Sequence, residues 1–152
     1  MRTITAQPLP EWESLPDFGL YMDQLLIFTE RYLPGGLTAG MVNSYVKNGL
    51  VKRPVGKKYD KESLAQILMT GILKAVLPLE TLRQLLHSGR DADACALYGQ
   101  FLRELERIEA EQVLHPETNA LDCALRSACD QQRCCDLLAG RAETPAAGGQ
   151  TV

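Results

Sequence analysis

Apolar residues recur at helical spacing in six stretches separated by breakers. Leu25, Leu26, Phe28 and Tyr32 predict a helix over about 20–33, stopped by Pro34-Gly35-Gly36. Met41, Val42, Tyr45 and Val46 predict a second over about 39–48, with Thr38 as its N-cap and Gly49 closing it. On that helix Asn43, Ser44, Lys47 and Asn48 fall on the polar side. Leu64, Ile67, Leu68 and Ile72 make one face of a third helix, about 61–76, and Met69, Leu73, Val76 and Leu77 make another. A helix apolar on so many sides is buried on more than one of them, so this one is expected at the centre, with Asp60 as its cap and Gly71 allowing close contact. A short helix over 79–86, closed by Gly89, follows Pro78. Cys95, Tyr98, Leu102, Leu105 and Ile108 stripe a helix over 91–114, about 35 Å long, and His115-Pro116 breaks it. The last helix, about 117–138, carries Leu121, Leu125, Ala128 and Leu138.

The remaining segments lack such periodicity. Residues 1–19 hold three prolines and read as an extended arm anchored by Trp12, Leu15 and Phe18. Residues 140–152 are small and polar, a tail expected to be disordered. Between the second and third helices Leu50-Val51 is apolar and Pro54-Val55-Gly56 forms turns, which predicts a small β-hairpin with Lys52, Arg53, Lys57 and Lys58 at its tip. Tyr59 returns the chain to the body. The domains so delimited are the arm, a compact unit over 20–90, and a helical extension over 91–139.

Charge changes the picture at that hairpin. The chain of 152 residues is 45% hydrophobic, enough for one buried core, and its net charge is −3. Residues 1–37 sum to −3 and residues 62–152 to −5, while residues 38–61 sum to +5. All the surplus positive charge occupies one window, the footprint expected of a surface for a polyanion. No apolar run is long enough to span a membrane, and the N-terminus lacks the apolar core of a secretory signal. Five cysteines, an odd number with no Cys-x-x-Cys spacing, argue for a reducing, cytoplasmic setting over a disulfide framework.

Helix, turn, helix, basic hairpin, helix, helix is the order that a winged helix-turn-helix requires. Its second helix would enter the major groove of double-stranded DNA, with Thr38, Asn43, Ser44, Lys47 and Asn48 toward the bases. The wing, with Lys52, Arg53, Lys57, Lys58 and Tyr59, would hold phosphates, which supply most of the affinity and need charge more than a particular geometry. Enzyme chemistry finds less support. His87 and His115 lack metal-ligand partners at short spacing, and neither a Gly-rich phosphate loop nor a nucleophile elbow occurs. No catalytic, metal or cofactor site is expected.

"MVNSYVKNGLV", then Pro54, then "KKYDKESLAQILMTGILKAVLPLETLRQLL" resembles the DNA-binding domain of MerR-type regulators over residues 38–86. The resemblance implies a mainly α fold, a MerR-like winged helix-turn-helix with a small hairpin wing. Where those regulators usually show Arg-Tyr-Tyr, this chain has Asn43-Ser44-Tyr45. A closer resemblance covers most of the chain. "LPDFGLYMDQLL" and "LTAGMVNSYVKNGLVKRPVGKKYDKESLAQIL" are similar to a bacterial family known as domain of unknown function 1836. It implies the same winged helix with a helical C-terminal extension, and no ligand or activity.

Two questions remain open at this level. The helix over 91–114 either folds back on the last helix or pairs with a second copy, as in MerR-type dimers, through residues 91–138. Cys129, Cys134 and Cys135 could sense metal or redox state, as cysteines near the end of such extensions do in some MerR-type regulators. Adjacent cysteines on a helix point about 100° apart, which favours plain packing. The function expected is sequence-specific DNA binding in transcription regulation. The alternative is a protein-interaction module on the same fold, its basic wing meeting an acidic partner.

Overall fold

The computed structural model describes residues 4–87, 93–114 and 119–140. It is mainly α. The chain divides into two compact units, residues 1–114 and 115–152. Five helices belong to the first: α1 (Met22–Glu30), α2 (Ala39–Lys47), α3 (Lys61–Leu73), α4 (Leu79–His87) and α5 (Ala94–Leu114). The arm before them carries a short 3-10 turn at Trp12–Ser14.

α3 is the centre of this unit. Leu64, Ala65, Ile67, Leu68, Met69 and Thr70 are all buried, so the helix is covered around most of its circumference. Each large apolar side chain so placed contributes about 1.5–3 kcal/mol of transfer free energy. The Asp60 side chain accepts from the Ser63 N–H at 2.9 Å and caps the helix as the sequence predicts. α2 packs on α3, as does α5. Gly71 does permit a close approach, but by a side chain: a Cβ there would stand 2.5 Å from Cδ1 of the buried Leu33.

α2 begins at Thr38, whose Oγ1 accepts from the Met41 N–H at 3.2 Å, and buries Val42 and Tyr45 against the body. Eight residues, 31–38, join α1 to α2, longer than the tight turn expected. α1 ends at Glu30, and Gly35 and Gly36 both take positive φ in the connection (81° and 65°), which lets the chain turn towards α2.

The arm is held at several points, among them the Ala6 N–H, which donates to the Tyr32 carbonyl at 2.9 Å. Leu15 is buried, and Trp12 packs against Tyr98 of α5 with ring centroids 6.3 Å apart. The Tyr98 hydroxyl donates to the Pro10 carbonyl at 2.7 Å. Phe18, expected as a third anchor, is instead 75% exposed. Leu20, two positions on, is the residue buried there.

The hairpin wing is corrected. Among the described residues there is no strand, only isolated bridges at Val55–Lys58 and Leu20–Tyr59. The ladder cannot extend past Val55 for an identifiable reason. Pro54 has no N–H, and the Lys52 N–H donates to Gln66 Oε1 at 2.7 Å instead of to a facing strand. On the other side, Tyr59 exchanges both its backbone bonds with Leu20, at 2.8 and 2.9 Å. The segment is therefore a loop closed by a two-residue turn and clipped to the arm.

The second unit contributes α6 (Ala120–Leu138), capped by Asn119, whose Oδ1 accepts from the Asp122 N–H at 2.8 Å. Leu121 and Leu125, expected as its apolar stripe, are exposed. The Gly89 helix end, the His115-Pro116 break and the tail beyond residue 140 lie outside the described residues. Among those residues no helix is long and apolar enough to cross a membrane.

Candidate nucleic-acid interface

Lys52, Arg53, Lys57 and Lys58 are exposed along the loop between α2 and α3. Its tip is set by Gly56 and Lys57, with φ of 59° and 64°. Two successive positive-φ residues, bracketed by reciprocal bonds between Val55 and Lys58 at 3.1 and 3.0 Å, make a turn whose twist suits a tight reversal. Glycine and asparagine fill such positions at little cost; Lys57 occupies one of them as a bulkier residue.

The ten residues expected to touch DNA are not equivalent. Asn43 and Lys47 are exposed on α2, and Arg53 and Lys57 are exposed on the loop. None of these four side chains makes a hydrogen bond or ion pair among the described residues. The Thr38 hydroxyl oxygen is occupied by its cap. Asn48 Nδ2 donates to the Ser44 carbonyl at 2.8 Å and lies 3.3 Å from Ser44 Oγ, so these two polar groups partly satisfy each other. Lys58 is exposed and stands over the Tyr21 ring, its Nζ 5.2 Å from the centroid.

Two members are placed differently from expectation. Tyr59 is buried, so it fixes the loop and presents no surface; burial pushes its phenol up. Lys52 does not sit at the tip. Its Nζ pairs with Asp60 at 2.7 Å and reaches Glu62 at 3.6 Å. The Asp60 hydrogen bond and charge, with Glu62 beyond, hold the Lys52 ammonium above its ordinary value. The spacing of Lys52 from Asp60 gave no helical or strand period by which to foresee this pair. Tyr45, with two readings at the sequence level, is core: it is buried, its hydroxyl has no protein partner among the described residues, and Lys74 Nζ lies 5.7 Å over its ring.

Asp60 thus serves α3 and Lys52 together. Partial burial pushes its carboxyl up, but the Lys52 bond and the Ser63 N–H outweigh that, and it falls below its ordinary value. A carboxylate lowered by folding contributes stability above its unfolded pKa and loses it as pH falls through the folded one. Asp60→Asn keeps a competent cap and removes only the charge. The variant is expected to melt below wild type at neutral pH, and the gap is expected to narrow as pH falls below the ordinary carboxylate range. Thermal melts across that range measure it.

Beside Lys52 a cleft of about 250 Å³ opens, floored by Met69, Leu86 and Leu97. Two of its polar groups, Lys52 and Gln66, are already bonded to each other or to neighbours. On α6, burial and the adjacent Cys135 raise the Cys134 thiol, which disfavours the thiolate that a sensor would use. No three or more His, Cys, Asp or Glu side chains are grouped to hold a metal among the described residues.

No curated protein and no solved structure matches the chain. The family model for the domain of unknown function DUF1836 matches residues 10–101, which take in the arm contacts, α1 to α4, the basic loop and the first part of α5. Since that match covers more than half of its length, the chain belongs to the DUF1836 family.

Proposed function

We propose that the chain binds double-stranded DNA through α2 and the 50–59 loop, as a MerR-like helix-turn-helix regulator of transcription in which the clipped loop stands in place of a stranded wing. The observation that carries this reading is Lys57. A cation sits at a left-handed turn position where glycine would be less strained, at the exposed tip of the most basic window of an acidic chain. Strain of about 1–3 kcal/mol at such a residue points to use of its side chain. Asn43 and Lys47 on α2 supply a hydrogen-bonding group for a base edge and a charge for a phosphate. No catalytic step is part of this reading.

Lys57→Gly separates the two roles of the residue. It is expected to keep or raise the melting temperature, because φ near 64° suits glycine, while weakening binding to every duplex and lowering the salt slope by about one. Asn43→Ala is expected to change which sequences are selected from a random duplex pool. Absence of duplex binding by the wild-type protein at low salt would end the proposal.

A protein-interaction module is the alternative, and the mutual bonding of Ser44 and Asn48 favours it by withdrawing two groups from a groove-reading face. Capture of a protein partner that survives nuclease treatment would select it. In the DNA reading, a second copy would pair on the distal half of α5, where Ile108, Val113 and Leu114 are exposed, and so present two copies of α2.

A further inference from the structure

Pairing of Leu20 with Tyr59 sorts the neighbouring side chains onto two faces. Successive residues of paired extended backbone point to opposite sides. Leu20 and Tyr59 point in and are buried. Their neighbours Tyr21 and Lys58 point out, and the Lys58 ammonium lies over the Tyr21 ring at 5.2 Å. Val55 exchanges backbone bonds with Lys58 and therefore shares its outward side. The arm is pressed close: a Cβ on Gly19 would stand 3.2 Å from Cβ and Cδ of Lys58. Phe18, one residue before this contact, is 75% exposed, Val55 is 77% exposed and Tyr21 47%. Tyr21 and Val55 thus lay aromatic and aliphatic surface beside Lys58, in the same loop as Arg53 and Lys57, and Phe18 is exposed on the arm next to Gly19, which meets Lys58. Large apolar side chains gathered in one exposed place mark interaction surfaces more often than isolated ones do.

We infer that Phe18 and Tyr21 extend the DNA interface onto the arm, lying against deoxyribose faces while Lys58 and Arg53 hold the flanking phosphates. The inference rests on the DNA-binding reading above and adds a component that charge alone does not supply. A nucleic-acid backbone alternates anionic phosphates with apolar sugar faces, and a surface of rings beside ammonium groups matches that alternation. Contacts to sugar and phosphate position a protein on the duplex without reading its sequence. The two kinds of contact also differ in what they release. A cation at a phosphate frees counterions and steepens the salt dependence, whereas a ring on a sugar does not.

The test measures duplex affinity over a salt series, with a site selected from a random pool, for wild type and four variants. Phe18→Ser is expected to weaken binding about 5- to 10-fold with the salt slope unchanged, and Tyr21→Ser to weaken it similarly. Serine is a favourable residue at the helix start that Tyr21 occupies, so the second variant keeps its fold. Tyr21→Phe is expected to bind as wild type does, since the ring makes the contact. Arg53→Gln is expected to lower the slope by about one. If Phe18→Ser and Tyr21→Ser bind like wild type while Arg53→Gln loses affinity, the arm is outside the interface and the DNA reading stands without it. A slope that falls in Phe18→Ser overturns the inference as well. A wild-type protein that binds no duplex overturns both. A Phe18 that is required for binding phosphatidylserine vesicles and not for binding duplexes overturns the inference alone.

Discussion

Tyr98→Ala is expected to lower the unfolding free energy by about 3–5 kcal/mol, the cost of emptying a fully buried aromatic site. The magnitude follows from three roles that one side chain combines. Tyr98 is wholly buried between α5 and the body. Its ring meets Trp12 at 6.3 Å, and its hydroxyl donates to the Pro10 carbonyl. Burial, with Tyr32 and Glu11 nearby, holds the phenol well above its ordinary value, so it stays a hydrogen-bond donor across the accessible pH range. Small domains are stable by only about 5–15 kcal/mol, so the loss is a large fraction of the whole. Tyr98→Phe keeps the ring and removes the donor, and about 1 kcal/mol is expected from it. Urea unfolding of the two variants separates the contributions. A loss in Tyr98→Ala no larger than that in Tyr98→Phe would show that the ring packing carries nothing.

Simultaneous replacement of Lys47, Arg53 and Lys57 by glutamine is expected to reduce duplex affinity by two to three orders of magnitude at about 0.1 M salt. Each phosphate contact contributes about 0.9 to the slope of log affinity against log salt, so three contacts lower it by about 2.7. All three are exposed and none is held in an ion pair among the described residues. Lys52→Gln is expected to do less, because its ammonium must first leave Asp60 and Glu62. A triple variant that retains the wild-type salt slope would remove the loop and α2 from any DNA interface.

Helices were legible in the sequence because breakers and caps act locally. Thr38 and Asp60 cap α2 and α3 as their side chains suggest, and Pro34-Gly35-Gly36 and Pro78 lie between the helices they separate, although α1 and α3 end at Glu30 and Leu73, three residues before the expected ends. The near-total burial of α3 was also readable, since its apolar residues leave no polar face wide enough for solvent. The loop was only half readable. Its charge and its turn were visible, but strands were expected where side chains compete for the backbone: Gln66 takes the Lys52 N–H, and the arm takes Tyr59. Such donors lie 14 and 39 positions away from their partners, beyond any local period. Lys52 illustrates the same limit for the candidate site. Counting charge places it with the other cations, and only the folded geometry assigns it to Asp60.

The Tyr98 hydroxyl and the Pro10 carbonyl are 88 residues apart in the chain. During synthesis at about 5–20 residues per second, the arm would leave the ribosome roughly 4–18 s before its anchor is made. Leu20 and Tyr59 become available to each other sooner, so the clip between arm and loop is positioned to form first and to hold the N-terminus near the growing body. Docking of Trp12 and Pro10 on α5 would then be a late step of maturation, closing the unit only once α5 has been translated.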